Sequence, residues 1–405
     1  MKPITVFTLR DLNISGGGAI RIKSLLDILK EQRSLDVYSN TDMLSEFNHS
    51  KVGVHFNNIE KRLLQFLLSF FFFLVAGLVF KVKLKKIEQF FKLNINPNVD
   101  ILFCEYLDTS LGYYLKRRGL INQYINDTHG ISTLELKYKN FKYPIVKSIA
   151  LMIAHQHDRK VFSAASSFIF VSSAMKDYFF KTYVAFRNKS FFIVPNVANS
   201  SSLSANYDNL FLEKVIQKYN LDLAKPIIFF AGGYKDLGGV HDLITVFSRV
   251  RLIVPNIQLV LIGDGFNQDS VDGLISKLNI VESVFQLGRQ PYEKLYTLQQ
   301  MASVIVCPDK ENDYSNLIVH LKYFDSVASN RPVVCAGFDS VKEINKQGNF
   351  ARLYPPSDLV AMENEILFCL NNQKEVLKDC EQNRKVMANK LTYNNFKDEI
   401  VGITS

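Results

Sequence analysis

The stretch Ser303–Cys335, SVIVCPDKENDYSNLIVHLKYFDSVASNRPVVC, decides the fold class of this chain. Its apolar run Val304–Cys307 is long enough for one buried strand and is stopped by Pro308. A polar stretch rich in Asp and Asn follows, which favours a loop. From Leu317 onward the apolar residues recur every three or four positions, which predicts a helix with one buried face. The apolar run that begins at Val333 predicts a second strand.

Strand, loop, helix and strand in this order form a βαβ unit. Open α/β sheets bind ligands at the loops that follow the carboxyl ends of their parallel strands. Lys322 and Asp325 are three residues apart, so both can project from one face of the predicted helix towards such a loop. The same spacing is typical of a surface ion pair, and spacing alone favours that second interpretation. The role of these two charges stays open at this point.

Length and composition predict a two-domain protein with large apolar cores, because 405 residues exceed one typical domain and 47% of them are hydrophobic. The formal net charge is +9. No dense run of Lys and Arg with interleaved aromatic residues is found, so we expect no nucleic-acid partner. A mild positive excess fits acidic ligands or an anionic membrane surface better.

Cysteine usage and the N-terminus predict a cytosolic protein. The five cysteines are scattered, odd in number and set mostly in apolar runs. This pattern favours reduced core thiols over a zinc site or a disulfide framework. The opening sequence MKPITVFTL runs directly into a predicted strand, so we expect no signal peptide.

Both halves of the chain open with a strand, a glycine-rich loop and a helix. In the first half, the predicted strand Ile4–Leu9 leads to Ser15–Gly18 and then to a predicted helix over Ala19–Leu29. In the second half, the predicted strand Ile227–Ala231 leads to the glycine-rich loop Gly232–Gly239. Such glycines let backbone N–H groups approach a phosphate or a sugar at a helix N-terminus, and a plain tight turn is the alternative. We therefore expect two Rossmann-like domains that face each other across a cleft.

The polar stretch Asn199–Asn206, NSSSLSAN, marks the boundary between the two halves. Small polar residues of this kind are typical of a linker. We therefore expect an N-terminal domain over residues 1–198, a linker over 199–212 and a C-terminal domain over 213–383.

The stretch Leu63–Phe80, LLQFLLSFFFFLVAGLVF, contains only two polar residues, Gln65 and Ser69. It is bordered by the basic residues Lys61, Arg62, Lys81, Lys83, Lys85 and Lys86. Its length meets the threshold for a membrane span, but a span would place strands of one sheet on opposite sides of the bilayer, so we reject it. A helix buried in the first domain and a helix lying in an anionic membrane interface both remain open. In the second case the stripe of Gln65, Ser69 and Ala76 would face the protein and Phe70–Phe73 would reach lipid.

Taken in order, several segments resemble the family-4 glycosyltransferases, which are retaining enzymes of GT-B fold that use nucleotide-sugar donors. The segments in the first half are SGGGAIR (15–21), NDTHG (126–130) and VPNV (194–197). Those in the second half are FFAGGYKDLGGVHDLITVF (229–247), LVLIGDG (259–265), VFQLGRQPYEKLYTLQQMASVIVCP (284–308) and FDSVASNRPVV (324–334). Each segment alone is a weak signal, but their common order and spacing make a strong one over nearly the whole length. The resemblance also implies that residues 384–405 return as a helix to the first domain.

The resemblance implies roles for individual residues. Gly17 and Gly18 would lie beside the donor phosphates or the acceptor. His129, in a polar turn that by itself is typical of an ordinary loop histidine, would contact the transferred sugar. Asp325 takes the place of the second Glu in the family's Glu-x7-Glu pattern, which hydrogen-bonds the nucleotide ribose. The implied catalytic residues are His129, Asp325 and Lys235.

The resemblance also implies a donor site on the second domain. The backbone amides of residues 316–318, at the start of the predicted helix, would face the diphosphate. The implied donor-binding residues are Gly232, Gly233, Gly265, Asn316, Leu317, Ile318 and Lys322. No metal is expected, because fixed cations and helix N-termini offset the charge of the departing diphosphate.

Four positions depart from the family pattern. The first Glu of the pair falls on Leu317, and the second is shortened to Asp325. The two cationic positions of the family's glycine-rich loop fall on Gly233 and Gly238. Their loss would remove several kcal/mol of leaving-group stabilisation, on the order of one or two oxyanion donors, unless other cations replace them. The candidate replacements are Lys235, Lys322 and Arg289.

The expected protein is a metal-independent, retaining hexosyltransferase that needs no cofactor besides its nucleotide diphosphate-sugar. The acceptor would be a glycan or a lipid-linked glycan of a bacterial-type surface polysaccharide. The expected location is the cytoplasm, peripheral on the inner face of the cell membrane. The alternative is a catalytically silent GT-B protein that binds a glycan or a protein partner.

Overall fold

The computed structural model describes residues 3–13, 17–32, 34–42, 44–69, 73–139, 141, 143–183, 186–198, 203 and 206–403. Contacts divide the chain into two units. The first unit contains Met1–Pro195 together with Phe396–Ser405, and the second contains Asn196–Asn395.

The first unit is built on a sheet of seven strands within the described ranges, and every strand pair is parallel. The strands are β1 (Ile4–Phe7), β2 (Leu35–Ser39), β3 (Asn48–Lys51), β4 (Asp100–Phe103), β5 (Ile125–Thr128), β6 (Ser167–Phe170) and β7 (Ser190–Ile193). Their spatial order is β3-β2-β1-β4-β5-β6-β7. The order reverses between β1 and β4, which is the switch point where doubly wound sheets bind ligands.

Helices connect these parallel strands, as a parallel pairing requires. They are Gly17–Gln32, Asn58–Ser69, Phe73–Val79, Lys81–Asn94, Tyr106–Arg117, Ser132–Tyr138, Pro144–Ala164 and Ser173–Thr182. The C-terminal helix Lys397–Gly402 also belongs to this unit, where it packs against Gly17–Gln32 and β7.

The second unit repeats the same arrangement with six parallel strands among the residues that the structure describes. The strands are β8 (Ile227–Ala231), β9 (Gln258–Ile262), β10 (Val284–Gly288), β11 (Val304–Cys307), β12 (Val333–Ala336) and β13 (Arg352–Tyr354). The helices are Asn209–Tyr219, Val240–Ile253, Gln268–Lys277, Leu295–Gln299, Leu321–Ala328, Asp339–Asn345, Leu359–Asn371 and Gln373–Lys390. The order β10-β9-β8-β11-β12-β13 places the switch point between β8 and β11.

The predicted α/β class with two Rossmann-like domains is confirmed by these two sheets. The strands β8 and β11 have the predicted bounds, because their apolar runs are flanked by glycine, proline or polar residues. The strand β5 covers Ile125–Thr128, which makes NDT of NDTHG part of a buried strand. All five cysteines are buried and free thiols.

The helix predicted from Leu317 begins four residues later, at Leu321. Residues 313–317 form a turn in which the backbone amide of Leu317 donates to the carbonyl of Tyr314 at 3.0 Å. His320 precedes the helix in an extended conformation. The apolar spacing extended the prediction into this turn, because Leu317 and Ile318 are also apolar.

The boundaries of the two units also differ from the expected domains. The chain returns to the first unit at Phe396 and not at residue 384, because Gln373–Lys390 packs against Leu321–Ala328 of the second unit. Residues 199–202, 204 and 205 of the expected linker lie outside the described residues. Its end, from Asn209, is the first turn of a helix whose N-cap is the Asp208 carboxylate.

The apolar stretch 63–80 contributes to two helices, Asn58–Ser69 and Phe73–Val79, and residues 70–72 lie outside the described part. One side is buried, including Leu64, Leu68 and Ala76. Another side is exposed, with Leu78 at 73%. The buried side fits a helix packed in the first domain, and the location in a membrane interface stays a prediction. The stripe expected to face the protein is only half right, because Ala76 is buried whereas Gln65 is partly exposed. Within the described residues, no helix has both the length and the apolar character that a membrane crossing needs.

Gly239 fixes the approach of two loops at the switch point of the second unit. Its φ is +67°, in the left-handed region. A Cβ placed on it would lie 1.6 Å from the carbonyl oxygen of Pro308, which directly follows β11. Only glycine therefore allows the loop after β8 to cross so near the end of β11.

We predict that Gly239→Ala lowers the free energy of unfolding of the second unit by at least about 2 kcal/mol, because the backbone must shift and the φ is strained. Gly273→Ala is the matched control, since open space surrounds Gly273 in the helix Gln268–Lys277. The control should be neutral or more stable by up to about 1 kcal/mol. Urea unfolding measures both variants, and equal effects would contradict the packing described for Gly239.

Candidate functional site

The carboxyl edge of the second sheet gathers three loops. The loop after β8 joins the loop after β9, because Gly232 donates to the carbonyl of Ile262 at 2.9 Å and Tyr234 donates to that of Asp264 at 2.8 Å. The loop after β11 joins the first, because the Lys310 amide donates to the carbonyl of Leu237 at 2.9 Å. Backbone hydrogen bonds thus bring together residues as distant in sequence as Leu237 and Lys310.

Lys322 forms an ion pair at this edge with Asp309, at 2.7 Å. Asp309 follows Pro308 at the end of β11, and Lys322 lies in the first turn of the helix Leu321–Ala328. Burial acts against the ammonium charge, but the Asp309 carboxylate outweighs it, so the pKa of Lys322 is raised. Lys322 is therefore a fixed cation in a protected position, as a phosphate-binding group must be.

Asp325 lies one turn further along the same helix and is largely buried. Its Oδ1 accepts a hydrogen bond from the Tyr292 hydroxyl at 2.6 Å. Tyr292 begins the short helical segment that follows β10 and its loop. This contact fixes the orientation of the Asp325 carboxylate, so the sequence prediction of a surface ion pair between Lys322 and Asp325 does not describe these residues.

The glycine loop after β8 presents Lys235 as an exposed side chain. Gly233 lies beside it and is also exposed, with only ordinary contacts around the position of a Cβ. Arg289 pairs with Asp264 at 2.7 Å on the outer part of the same edge. Of the three candidate replacement cations, Lys322 is therefore the most enclosed and Arg289 the most exposed.

The predicted role of Asn316, Leu317 and Ile318 needs a correction. These residues are not the first turn of a helix, and the amide of Leu317 is used by the turn to Tyr314. The Asn316 side chain accepts from the amide of Asp339 at 3.1 Å. The residue at the helix start is His320, and burial together with the ammonium groups of its neighbours lowers its pKa. His320 is thus a neutral residue next to the Lys322 and Asp309 pair.

The carboxyl edge of the first sheet carries His129, directly after β5. The His129 Nδ1 lies 3.1 Å from Oδ2 of Asp127, and Asp127 is the second residue of the segment NDTHG. Arg21 binds the same carboxylate, with Nε at 2.9 Å from Oδ2 and Nη2 at 2.8 Å from Oδ1. The side chains of Arg21 and Asp127 are only 1% and 0% exposed, whereas that of His129 is 21% exposed. Hydrogen bonds link the three side chains in a row that runs from the protein interior to the surface.

The neighbouring charges shift the pKa values of Asp127 and His129. Burial acts against ionisation of Asp127, but Arg21 and His129 outweigh it, so the pKa of Asp127 is well below its usual range. Burial lowers the pKa of His129, but the hydrogen bond to the Asp127 carboxylate outweighs burial and the net shift is upward. Asp127 is therefore an anion that accepts hydrogen bonds from both of its neighbours.

Gly17 and Gly18 begin the helix Gly17–Gln32 at the switch point between β1 and β4. A Cβ on Gly18 would lie 2.4 Å from Oε1 of Glu105. That carboxylate is paired with Arg10 at 2.6 Å, so Gly18 lies against an ion pair. The side chains of Glu105 and Arg10 would have to shift to admit a Cβ at Gly18, whereas the preceding residues 14–16 lie outside the described ranges.

Several residues of these two edges were missed in the sequence analysis. Arg21 and Asp127 lie inside segments that carry the family resemblance, and Asp309 lies two residues after the predicted strand Val304–Cys307, but no role was predicted for any of them. For Asp127 and Asp309 the sequence offered one signal, their position, because each lies in a polar segment that follows a predicted strand. Glu105 and Tyr292 had no such signal, because only the fold brings them to their partners. In the described part of the chain, no cluster of three or more His, Cys, Asp or Glu side chains is arranged to hold a metal ion.

Comparison with known proteins gives the class of the second unit. Residues 212–387 match the family model described as glycosyl transferases group 1, so this part of the chain is a group 1 glycosyltransferase domain. A trehalose synthase of Pyrococcus horikoshii is 25% identical over 77 residues, 19% of this chain. An uncharacterised glycosyltransferase of Methanocaldococcus jannaschii is 35% identical over 98 residues, 24% of this chain. These matches span 19% and 23% of the lengths of the two relatives.

Solved structures share the architecture over nearly the whole chain. Sucrose-phosphate synthase from Thermosynechococcus elongatus gives a TM-score of 0.72 at 16% identity, covering 100% of this chain and 97% of that one. The Anabaena protein HepE in complex with UDP-glucose gives 0.71 at 14%, covering 99% of each chain. WaaG, a glycosyltransferase involved in lipopolysaccharide biosynthesis, gives 0.69 at 12%, covering 98% and 100%. The fold is GT-B, and the resemblance in fold that the sequence predicted is confirmed.

The buried pair of Asp127 and Arg21 should make stability depend on pH. Because the pKa of Asp127 is lowered on folding, its ionised carboxylate contributes fully to the free energy of unfolding at a pH above the pKa of the unfolded state, about 3.9. This contribution is lost as the pH falls from there through the pKa of the folded state. We predict that Asp127→Asn costs about 3–5 kcal/mol at pH 7, because Arg21 loses its buried counter-charge. The difference from wild type should shrink between pH 5 and pH 3, as followed by urea unfolding.

Asp42→Asn is the control for this experiment, because Asp42 forms an exposed ion pair with Lys51 in the same unit. It should change stability at neither pH. A difference between wild type and Asp127→Asn that stays constant down to pH 3 would contradict an ionised, paired Asp127.

Proposed function

We propose that this protein is a glycosyltransferase that transfers a hexose from a nucleotide diphosphate-sugar. The observation that carries the proposal is the group 1 glycosyltransferase domain over residues 212–387, whose sheet edge holds a fixed cation, Lys322, and an oriented carboxylate, Asp325. A cation suits the diphosphate and a carboxylate suits the ribose hydroxyls. The crystal structures of HepE in complex with UDP and with UDP-glucose support the same class of donor.

The donor would bind at the carboxyl edge of the second sheet. Gly232, Gly233 and Gly265 lie in the two joined loops there, and the exposed Gly233 leaves room for a close approach of phosphate to backbone. Lys235 is exposed beside Gly233 and would add a second positive charge. In this proposal Lys322 and Lys235 replace the two cations that the family's loop carries, and they stabilise the diphosphate as it departs without a metal ion.

His129 would act on the transferred sugar. His129 is the partly exposed residue in the hydrogen-bonded row of Arg21, Asp127 and His129, so it combines a fixed orientation with access to a ligand. Gly17 and Gly18, at the N-terminus of a helix on the same edge, would lie against phosphate or acceptor oxygens. We propose retention of configuration on the basis of the family resemblance, and a glycan or lipid-linked acceptor of a surface polysaccharide. The likeness in fold to WaaG is in keeping with such an acceptor.

A catalytically silent GT-B protein is the second candidate. It is favoured by one observation, the replacement of the first family Glu by Leu317, which lies in a turn and carries no charge. The two candidates differ in what they do with a nucleotide-sugar, because a silent protein does not release the nucleoside diphosphate.

We predict that isothermal titration against UDP-, GDP- and ADP-sugars finds one donor class that binds, and that Asp325→Ala weakens this binding about tenfold to a hundredfold, equal to about 1–3 kcal/mol. Tyr292→Phe keeps the carboxylate and removes only its hydroxyl partner, so it should have a smaller effect. Asp339→Ala, an exposed carboxylate on the next helix, is the neutral control. His129→Ala should leave donor affinity within about twofold but lower turnover about a hundredfold.

The absence of binding by any of these donors at millimolar concentration would favour the silent alternative. Binding without release of nucleoside diphosphate, in wild type and with a panel of acceptors, would do so as well.

We further propose that the first unit lies on an anionic membrane surface. Exposed apolar side chains lie on Phe73–Val79 and Lys81–Asn94 and on the start of Pro144–Ala164, which packs against Asn58–Ser69. They are Leu78, Val79, Val82, Ile145, Val146, Ile149 and Met152. Among the flanking lysines, Lys83 is paired with Glu60, whereas Lys81, Lys85 and Lys86 are exposed. Apolar groups next to lysines suit a membrane with anionic headgroups, to which each lysine contributes about 1 kcal/mol.

We predict that the protein binds anionic vesicles and that added salt weakens this binding. The double variant Leu78→Ser with Val82→Ser should bind several-fold more weakly at an unchanged melting temperature, because both side chains are more than 70% exposed. Leu252→Ser with Ile253→Ser removes an exposed apolar pair from the second unit and is the matched control. Vesicle co-sedimentation measures both, and equal binding of the two variants would contradict the proposed surface. The phenylalanines at 70–72 lie outside the described residues and take no part in this design.

A further inference from the structure

We infer that Arg21 and Asp127 form a positioning pair that fixes the tautomer, charge and orientation of His129. This inference rests on the proposed role of His129 in sugar transfer. The carboxylate of Asp127 is the centre of the arrangement, because it accepts from Nε and Nη2 of Arg21 at 2.9 and 2.8 Å and faces Nδ1 of His129 at 3.1 Å. Arg21 and Asp127 do not reach the surface, so they act through His129.

The tautomer follows from the charge on Asp127. An ionised carboxylate only accepts hydrogen bonds, so the proton of a neutral His129 is on Nδ1. The Nε2 atom then carries the lone pair and can accept a hydrogen bond from a sugar hydroxyl. When His129 is protonated, Nε2 becomes a donor instead. Asp127 thus decides what the exposed end of the ring offers to a ligand.

Arg21 limits the effect of Asp127 on the proton affinity of His129. An unshared buried carboxylate would hold the proton on the ring to high pH, whereas the bidentate guanidinium shares the negative charge and lowers the pKa of His129. The other charged group facing the ring is Glu105, at the end of β4, which favours the protonated ring and is itself paired with Arg10.

The remaining titratable groups nearby are neutral or lie further along these contacts. Burial raises the pKa of the Cys104 thiol, which lies near Asp127 and so stays uncharged. Burial also raises the pKa of Asp108 to about 7, and Asp108 accepts from the Leu9 amide at 2.9 Å on the side of Glu105. The groups in direct contact with Asp127 are therefore Arg21 and His129, and these two set its response.

The helix Gly17–Gln32 gives this pair a second consequence. Gly18 at its start lies against Arg10 and Glu105, and Arg21 follows one turn later on the same helix. The pair therefore ties the glycine segment to the strand that carries His129. A purely structural pair would have the same packing, but the titration of His129 would not respond to the loss of Arg21 or Asp127.

The test is the titration of His129 in the full-length protein labelled with 15N-histidine, with its signal assigned from His129→Ala. In wild type we expect the Nδ1–H tautomer. In Asp127→Asn the amide oxygen is held by Arg21, which has only donors, so the NH2 group faces His129 Nδ1. The expected result is the Nε2–H tautomer and a pKa below the ordinary value of about 6.5.

Arg21 is tested by two variants and one control. Arg21→Met should raise the pKa of His129 by about one unit, because Asp127 keeps its charge without the guanidinium. Arg21→Lys retains the positive charge and should restore a pKa near that of wild type. Arg118→Met removes the same kind of side chain from an exposed pair with Glu88 in the same unit and should leave His129 unchanged.

Turnover adds a functional measurement. Asp127→Asn should lower kcat about tenfold to a hundredfold, the usual range for groups that orient an active residue, with KM for the donor nearly unchanged. A wild-type Nε2–H tautomer, or the same His129 titration in Arg21→Met and Arg21→Lys, would overturn the inference. The tautomer in wild type decides the question even if Asp127→Asn does not fold. The titrations need no substrate, so a failure of the proposed transferase activity is seen separately from a failure of the positioning pair.

Discussion

Parallel strand pairing is the constraint on which the rest of this structure depends. A parallel pair cannot be closed by a tight hairpin, so the chain must cross back between paired strands, in most cases through a helix, and all carboxyl ends point to one edge of the sheet. In both units the strand order reverses once, between β1 and β4 and between β8 and β11. At such a switch point the loops after the two neighbouring strands run in opposite directions, and a crevice remains between them. Every candidate residue discussed above lies at one of these two edges.

Each edge meets the same electrostatic requirement with a different solution. A charge taken out of water is costly unless a partner of opposite charge and further hydrogen bonds compensate it. In the second unit the compensated charge is the ammonium group of Lys322, which forms an ion pair with the shorter side chain of Asp309. In the first unit it is an anion, Asp127, held by Arg21, and a histidine completes the set. The first arrangement fits a phosphate, and the second controls a proton.

The apolar stretch 63–80 shows why composition alone does not define the environment of a helix. Its residues are apolar on nearly all sides, yet Leu64 and Leu68 are buried whereas Leu78 and Val79 are exposed. Apolar side chains on a surface are ordinary when scattered, but a group of them beside exposed lysines has a chemical character of its own. The first unit thus has a buried side that the fold needs and an exposed side that the fold does not explain.

The amino-acid sequence by itself determined the class of fold and most strands of the second sheet. Short apolar runs bounded by glycine and proline, such as Val304–Cys307, are local signals, and local signals survive in any context that buries them. The glycine segments and the order of the motifs also predicted where ligands would bind, because ligand sites of parallel sheets follow from topology. The Rossmann-like halves and the edges with Gly18, His129 and Asp325 could therefore be predicted.

Only the tertiary structure decided which charges meet. Lys322 is three residues from Asp325, but it pairs with Asp309, which follows β11 and precedes Lys322 by 13 positions. Arg21 and Asp127 are separated by 106 positions, and no spacing rule relates them. The start of the helix at Leu321 was also decided by the structure. The apolar residues recur at helical spacing through the preceding turn as well, so their spacing does not show where the hydrogen bonds of the turn give way to those of the helix. Local patterns fix elements, whereas ion pairs and loop contacts depend on where the fold brings distant residues, and that is why the site needed the structure.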